Sequence, residues 1–317
     1  MSHPLTRLFL RATALALTLF SAALLRADQR PLRVATLNTV LTEIAREIGG
    51  ERAEVHGLIR PGVDPHTFDP SAAELREIVQ ADVVFISGLN LENYINKLAE
   101  NAVAPERLVR IGDQLPHILS LAPDASREGH DYARDALSAE GERDPHWWHS
   151  IDNVLFAADL VRAEYARLRP ASAEIFARNA QAYQQRLFAL KGWASRELAR
   201  IPPAARNLVT SHDAFGYFAR DYGFAIHPIS GLSTSSEPNA KHFAELITLI
   251  RRKHVAAVFA ESSANTRLLQ TLARETGVRL GGTLYADGLG AADTDAATYE
   301  GMVRHNISTI VNALAAR

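Results

Sequence analysis

The tripeptide Asp-Pro-His occurs twice in this sequence of 317 residues, and it is the first pattern that suggests chemistry. One copy ends at His66 and the other ends at His146. Proline fixes its own backbone angle and favours an extended conformation for the residue before it, so each imidazole is held in a reproducible direction. A single copy is typical of a surface turn, but the repetition favours a binding role for both histidines.

Two further candidates follow predicted strands. His212 comes just after a strand predicted for Asn207–Thr210, and Asp287 follows a strand predicted for Val278–Tyr285. Ligands of open α/β sheets bind outside the carboxyl ends of the strands, which is where both residues are expected. Taken alone, His212 is explained equally well by a helix-capping segment at 211–213, and Asp287 is explained better by an Asp-Gly turn.

Together these residues predict a metal site. Three imidazoles and one carboxylate form a donor set of borderline softness, which suits zinc. We therefore predict that one divalent metal ion binds to His66, His146, His212 and Asp287. Two of these ligands come from each half of the chain.

Two more residues are expected beside this site. Glu261 ends a strand predicted for Val255–Ala260, and we expect it to accept a hydrogen bond from a ligating histidine. A carboxylate at the start of a helix explains Glu261 about equally well. His149 lies three residues after His146, and it is expected either to compete as a ligand or to pair with one.

Several functional classes are excluded by what the sequence lacks. The chain has no cysteine, so disulfides, thiolate ligands and cysteine nucleophiles are excluded. It has no His-Glu-x-x-His, Gly-x-Ser-x-Gly or phosphate-loop motif, and we predict that it is not an enzyme. The net charge of −2 gives no basic footprint for nucleic acid. Two alternatives stay open, a periplasmic zinc hydrolase with Glu261 as general base, and an adhesin or structural protein stabilised by metal.

The N-terminus has the pattern of a secretory signal. Arg7 and Arg11 precede an uncharged apolar run at Ala12–Leu25, which is too short to span a bilayer comfortably. We predict a cleaved signal peptide at residues 1–27 and export of the remaining chain. Without a cysteine to carry a lipid, the expected product is a soluble protein of a Gram-negative periplasm.

The order of the predicted elements indicates the fold class. From residue 32, short apolar runs alternate with amphipathic helical patterns, including a helix at Leu91–Ala102, and a polar loop follows at 113–145. A long helix is predicted at Ser172–Ala199, and the alternation then resumes. We predict an α/β fold of two lobes with mostly parallel sheets flanked by helices, joined by one long rigid helix.

The predicted units are an N-terminal metal-binding lobe at 28–170, a linking helix at 171–204 and a C-terminal metal-binding lobe at 205–317. The predicted buried side of the linking helix is Ile175, Ala182, Leu187, Leu190 and Trp193.

Five segments, in order, carry a family resemblance: Arg60–Ser71, Asp144–Trp148, Thr210–Phe218, Phe259–Ser263 and Gly282–Asp287. As a set, they resemble the zinc/manganese solute-binding proteins of ABC importers, the cluster A-I or ZnuA/TroA-like group. The resemblance covers nearly all of the mature chain. It implies that His66, His146, His212 and Asp287 are the metal ligands, and that the metal lies between two lobes joined by a rigid helix.

The resemblance also implies a function. A periplasmic, monomeric protein would capture Zn2+ in the cleft between its lobes and deliver it to a permease in the inner membrane. Manganese-specific members often carry Glu at the third ligand position, so His212 favours zinc. The similarity to the less selective TroA-like members leaves Mn2+, or a broad range of metals, as the alternative. Many zinc binders carry a His-rich loop before the second ligand, whereas 113–145 contains only His117 and His130.

Overall fold

The computed structural model describes residues 30–92, 94–95, 104–121, 142–235, 240–263 and 265–315. Its first sheet is parallel, with the strand order β2-β1-β3-β4. The strands are β1 (Leu32–Thr36), β2 (Ala53–Gly57), β3 (Val83–Ile86) and β4 (Leu108–Arg110). All four residues of β3 are apolar and buried, as expected for a central strand of a parallel sheet covered on both faces.

Among the described residues, three helices accompany this sheet, and local capping explains where two of them begin. They are α1 (Thr39–Gly49), α2 (Ala72–Gln80) and α3 (Ile151–Leu168). The Asn38 side chain accepts hydrogen bonds from the first backbone N–H groups of α1. At the start of α2, Ser71 and Glu74 form a reciprocal capping box.

The predicted long loop contains a short antiparallel pair, β5 (Ser120–Leu121) and β6 (Glu142–Arg143). The sequence predicts a polar loop at 113–145, and it does not predict this short pairing within the loop. Residues 122–141, between the two strands, lie outside the described residues. The predicted signal peptide and most of the helix predicted at Leu91–Ala102 also lie outside them.

A single helix of 26 residues, α4 (Ala173–Leu198), follows the first lobe and precedes the second. At 1.5 Å per residue it is about 39 Å long. Its buried residues are Phe176, Ala180, Tyr183, Leu187, Leu190, Ala194 and Leu198. Leu187 and Leu190 were predicted correctly, but Ala182 is exposed, and Ile175 and Trp193 are only partly buried. The aromatic residues Phe176 and Tyr183 lie seven positions apart and set the buried side, so the predicted side was rotated by about one residue.

The second sheet repeats the parallel arrangement, with the order β10-β9-β7-β8. Its strands are β7 (Asn207–Thr210), β8 (Ala225–Pro228), β9 (Ala257–Glu261) and β10 (Arg279–Leu284). Its helices are α5 (Gly216–Tyr222), α6 (Ala240–Lys253), α7 (Arg267–Thr276) and α8 (Tyr299–Leu314). Helix α8 begins at Tyr299, where the Thr298 side chain caps it by accepting the backbone N–H of Gly301. The predicted α/β fold of two parallel-sheet lobes is confirmed. In the part of the chain that the structure describes, no helix combines the length and apolarity needed to cross a membrane.

Contacts between α1, α4 and α8 tie the lobes together. One apolar cluster runs through both lobes, and it includes Ile44 of α1, Leu187 of α4 and Ile310 of α8. A carboxylate joins the same three helices. Glu43 of α1 accepts hydrogen bonds from the Tyr299 backbone N–H at 2.7 Å and from the Tyr183 hydroxyl at 3.3 Å.

Replacing Glu43 with glutamine is expected to stabilise the metal-free protein at pH 8 by about 1–3 kcal/mol, with little change at pH 5. Burial raises the pKa of Glu43 from its ordinary 4.5 to about 7. The folded protein therefore holds this proton more tightly than the unfolded chain does, and the wild type loses stability as the pH rises from about 4.5 through 7. Glutamine keeps an acceptor for Tyr299 and supplies a donor for Tyr183. Denaturant unfolding at both pH values checks this, and equal stability at pH 8 would contradict it.

Candidate metal centre

The first Asp-Pro-His segment lies in the loop between β2 and α2. The Asp64 carboxylate accepts the backbone N–H of His66 at 2.8 Å, which fixes the turn that presents the imidazole. Its other oxygen accepts the Thr234 hydroxyl at 2.5 Å, and Thr234 belongs to the second lobe. Asp64 therefore links the position of His66 to the opposite side of the cleft.

The second Asp-Pro-His segment repeats this local geometry in a fully buried setting. One oxygen of Asp144 accepts both the backbone N–H of His146, at 2.9 Å, and the Nδ1–H of its ring, at 2.8 Å. Neither residue is exposed to solvent. Because Nδ1 is the donor in this pair, Nε2 of His146 is left as the atom that can bind a metal.

His212 directly follows Ser211 at the carboxyl end of β7, and Glu261 ends the neighbouring strand β9. The Glu261 carboxylate accepts the backbone N–H of Ser211 at 2.9 Å and that of His212 at 3.1 Å. Its second oxygen pairs with Nδ1 of the His212 ring. Glu261 thus orients His212 as Asp144 orients His146, with Nε2 towards the site.

Asp287 follows β10 and completes the cluster. The Ser263 hydroxyl donates to its Oδ2 atom. The Oδ1 atom is buried and makes no hydrogen bond to any described residue. Instead, it lies 3.4 Å from Nε2 of His66, 3.6 Å from that of His146 and 3.3 Å from that of His212.

Five of the six distances between the four donor atoms are close to those of a tetrahedral zinc site. All four atoms lie within 4.8 Å of one another. Nε2 of His146 is 3.1 Å from Nε2 of His66 and 3.3 Å from Nε2 of His212. A tetrahedral zinc ion with bonds of about 2.0–2.1 Å requires donors about 3.3–3.4 Å apart. The three distances from Oδ1 of Asp287 and the two from Nε2 of His146 range from 3.1 to 3.6 Å and bracket that value.

Buried carboxylates control the charge of the site. Burial is the largest influence on the His66 imidazole, and it lowers the pKa of this residue. Burial acts the same way on His146 and His212, but hydrogen bonds and charge from neighbouring carboxylates outweigh it and raise both pKa values. For Asp287, burial favours the neutral acid, but the surrounding imidazoles outweigh it and hold the pKa well below its usual range. In the metal-free protein, protons on His146 and His212 therefore supply positive charge. A bound metal cation would supply that charge instead.

Metal binding is accordingly expected to release protons and to weaken as the pH falls. The raised pKa values of His146 and His212 mean that protons compete with the metal already above pH 6.5, the ordinary value of histidine. Zinc titrations by calorimetry at pH 7, in buffers of different ionisation enthalpy, should show about one proton released per zinc. A zinc affinity that stays constant between pH 8 and 6 would contradict this charge balance.

His149 lies beside the donor cluster but is not one of its four donors. Its Nε2–H donates to the backbone oxygen of Ala286 at 2.8 Å, and its ring lies 4.4 Å from that of Phe215. Burial lowers the pKa of His149 to about 3, so the ring is neutral. It contacts the backbone next to Asp287 and lies outside the cluster of four donor atoms.

Four contacts around the site are not among those predicted from sequence. The aspartate of each Asp-Pro-His segment accepts a hydrogen bond from the histidine of the same segment and fixes its position. The repeated Asp two residues before each His was a sequence feature from which this role could have been predicted. Ser263 donates to Asp287, and Trp148 donates from its indole to the oxygen of Ala286. Nothing in the residue types of Ser263 or Trp148 marked these two roles.

Comparison with known proteins identifies the family of the chain. Residues 34–313 match the family described as zinc-uptake complex component A, periplasmic (ZnuA). The manganese-binding lipoprotein MntA of Bacillus subtilis (strain 168) is 36% identical over 91% of each chain. The iron-binding protein YfeA of Yersinia pestis is 32% identical, over 95% of this chain and 96% of that one.

The zinc-binding protein TroA of Treponema pallidum (strain Nichols) is similar in sequence and in structure. Its sequence is 33% identical, over 91% of this chain and 90% of TroA. A solved structure of periplasmic zinc-binding TroA from Treponema pallidum superposes with a TM-score of 0.80, at 32% identity, covering 90% of this chain and 100% of that one. None of these relatives is named as an enzyme. The chain belongs to the zinc-uptake complex component A family, and it is a substrate-binding protein of a metal ABC transporter rather than an enzyme.

Proposed function

We propose that the cargo of this protein is a single zinc ion, held between the lobes by His66, His146, His212 and Asp287. The observation that carries the proposal is the spacing of the four donor atoms, since five of their six separations are close to those of a tetrahedral zinc ion. All four donors are protein side chains. A tetrahedral zinc bound in this way has no open position, which suits storage and transfer of the ion rather than hydrolysis.

Chemistry favours zinc over manganese as the cargo. Three nitrogen donors and one oxygen suit zinc, whereas manganese prefers six ligands that are mostly oxygen. The general order of affinities also places zinc above manganese at any such site. The name of the MntA relative supports manganese as the alternative cargo, and a broad range of divalent metals would accommodate the names of all three relatives.

Capture and delivery would use the two-lobed architecture. We propose an N-terminal lobe at 28–170 that supplies His66 and His146, a linking helix at 171–204, and a C-terminal lobe at 205–317 that supplies His212 and Asp287. The metal closes the cleft by joining ligands from both lobes. A monomer, exported to the periplasm after loss of residues 1–27, would then dock on an inner-membrane permease, which must loosen these contacts to take the ion.

Removal and return of metal tests the proposal. Chelated protein should remain folded, because the apolar cluster that joins the lobes contains none of the ligands. Adding zinc at a thousandfold excess over its dissociation constant should stabilise the protein by about 4 kcal/mol, with one zinc bound per chain by elemental analysis. Parallel titrations with Mn2+ and Fe2+ rank the metals. No stabilisation by zinc would refute zinc as the cargo, and unfolding on chelation would favour a structural metal.

A further inference from the structure

The loop that carries Asp287, residues 285–298 between β10 and α8, receives much of its support from the first lobe. The backbone oxygen of Ala286 accepts the indole N–H of Trp148 at 2.9 Å, as well as the ring of His149. The backbone N–H of Leu289 donates to the Thr39 hydroxyl of α1 at 2.8 Å. These contacts hold the residues immediately around Asp287 against the segment after His146 and against α1.

The far end of the same loop is held by Glu43. Its carboxylate accepts the N–H of Tyr299, the first residue of α8, at 2.7 Å. The N-terminus of a helix carries unpaired N–H groups, so a side-chain oxygen that accepts from one of them is a favourable partner. In this case, the carboxylate comes from a helix of the opposite lobe.

A cavity lies between part of the loop and α1, so the two surfaces are not packed together there. The cavity has a volume of about 510 Å³ and is lined by Glu43 and Thr42 of α1 and by Leu289, Ala297 and Thr298 of the loop. At the edges of the cavity, Leu289 and Tyr299 belong to the apolar cluster that also contains Ile44 of α1. The hydrogen bonds to Thr39 and Glu43 add directional contacts to this packing.

We propose that Glu43 is a positioning residue that holds the 285–298 loop, and with it Asp287, against the first lobe and thereby slows metal release. This inference rests on the proposed function, because it concerns the release of the ion held by the four ligands. Opening the cleft separates Glu43 from Tyr299 and leaves both groups without the partner they have in the closed form. The hydrogen bond therefore adds to the barrier against opening, although Glu43 does not touch the metal.

Three variants of the full chain test the role of Glu43. In Glu43→Leu, zinc should dissociate into a competing chelator at least about tenfold faster than in wild type, with an unchanged association rate. Glu43→Gln keeps an acceptor for Tyr299 and should restore dissociation to within about twofold of wild type. Glu47→Leu is the matched control. Glu47 lies one turn further along α1 and pairs with Arg186 at 2.8 Å, and its loss should leave zinc dissociation within about twofold of wild type.

Thr39→Val provides a second measurement in case Glu43→Leu does not fold. It removes the acceptor for Leu289 at nearly constant volume and should accelerate zinc dissociation about threefold or more. A folded Glu43→Leu with the wild-type dissociation rate, or equal effects of Glu43→Leu and Glu47→Leu, would overturn the proposal. If Glu43→Leu is unfolded, a wild-type rate in Thr39→Val would overturn it instead. Failure of the wild-type protein to bind zinc would refute the proposed cargo, which is a separate result.

Discussion

Replacing His212 with alanine is expected to abolish tight zinc binding. The substitution removes one of four donors and also leaves the buried Glu261 carboxylate without the imidazole that it pairs with. Four-ligand zinc sites bind with roughly 10–16 kcal/mol, so one ligand is worth on the order of 3–4 kcal/mol, or several hundredfold in affinity. Competition titration with a chromophoric zinc chelator measures the loss.

His242→Ala is the matched control for this experiment. His242 lies in the same lobe, and its ring donates to the backbone oxygen of Pro228, away from the donor cluster. Zinc affinity in this variant should equal that of wild type within about twofold. Wild-type affinity in His212→Ala, with far-ultraviolet circular dichroism showing the protein to be folded, would remove His212 from the site.

Glu261→Gln is expected to weaken zinc binding about 10- to 100-fold, although Glu261 itself does not bind the metal in the proposed site. The carboxylate accepts from Nδ1 of His212 and thereby holds the tautomer whose Nε2 lone pair faces the site. A glutamine amide can present its NH2 group to Nδ1, which places the ring proton on Nε2, where it blocks the metal. The change is nearly isosteric, so the effect is on the tautomer rather than on packing.

Nitrogen-15 spectra of the histidine rings provide the direct readout for this variant. In metal-free wild type above the pKa of His212, the ring should carry its proton on Nδ1, and in Glu261→Gln a substantial fraction should carry it on Nε2. Asp287 and the other ligands are unchanged, so zinc should still bind with one-to-one stoichiometry. An unchanged tautomer together with an unchanged affinity would show that Glu261 only supports the strand ends.

The four donor residues were predictable from sequence for a physical reason. His212 and Asp287 follow β7 and β10, strands of one parallel sheet, and the carboxyl ends of such strands lie at one edge. The repeated Asp-Pro-His placed two more imidazoles in loops of the other lobe. Local patterns of this kind, like the capping box of Ser71 and Glu74, involve residues that are close in sequence. They can therefore be recognised before the fold is known.

The contacts that could not be predicted join residues far apart in sequence. Thr234 reaches Asp64 across 170 positions, and Glu43 reaches Tyr299 across 256. These pairs depend on how the lobes meet, which no local pattern specifies. The buried side of α4 was predicted incorrectly for a related reason. Ala182 is apolar and was therefore assigned to the buried side, but the structure buries Tyr183 in the apolar cluster instead.

Zinc K-edge X-ray absorption of protein loaded with one equivalent of zinc tests the proposed metal site most directly. We predict four nitrogen or oxygen neighbours at about 2.0–2.1 Å, with the multiple-scattering pattern of three imidazoles. We also expect the imidazole pattern to weaken to two rings in any His212→Ala protein that can still be loaded. Six oxygen-like neighbours without imidazole scattering, or no stoichiometric zinc uptake, would show that the ion does not bind to His66, His146, His212 and Asp287.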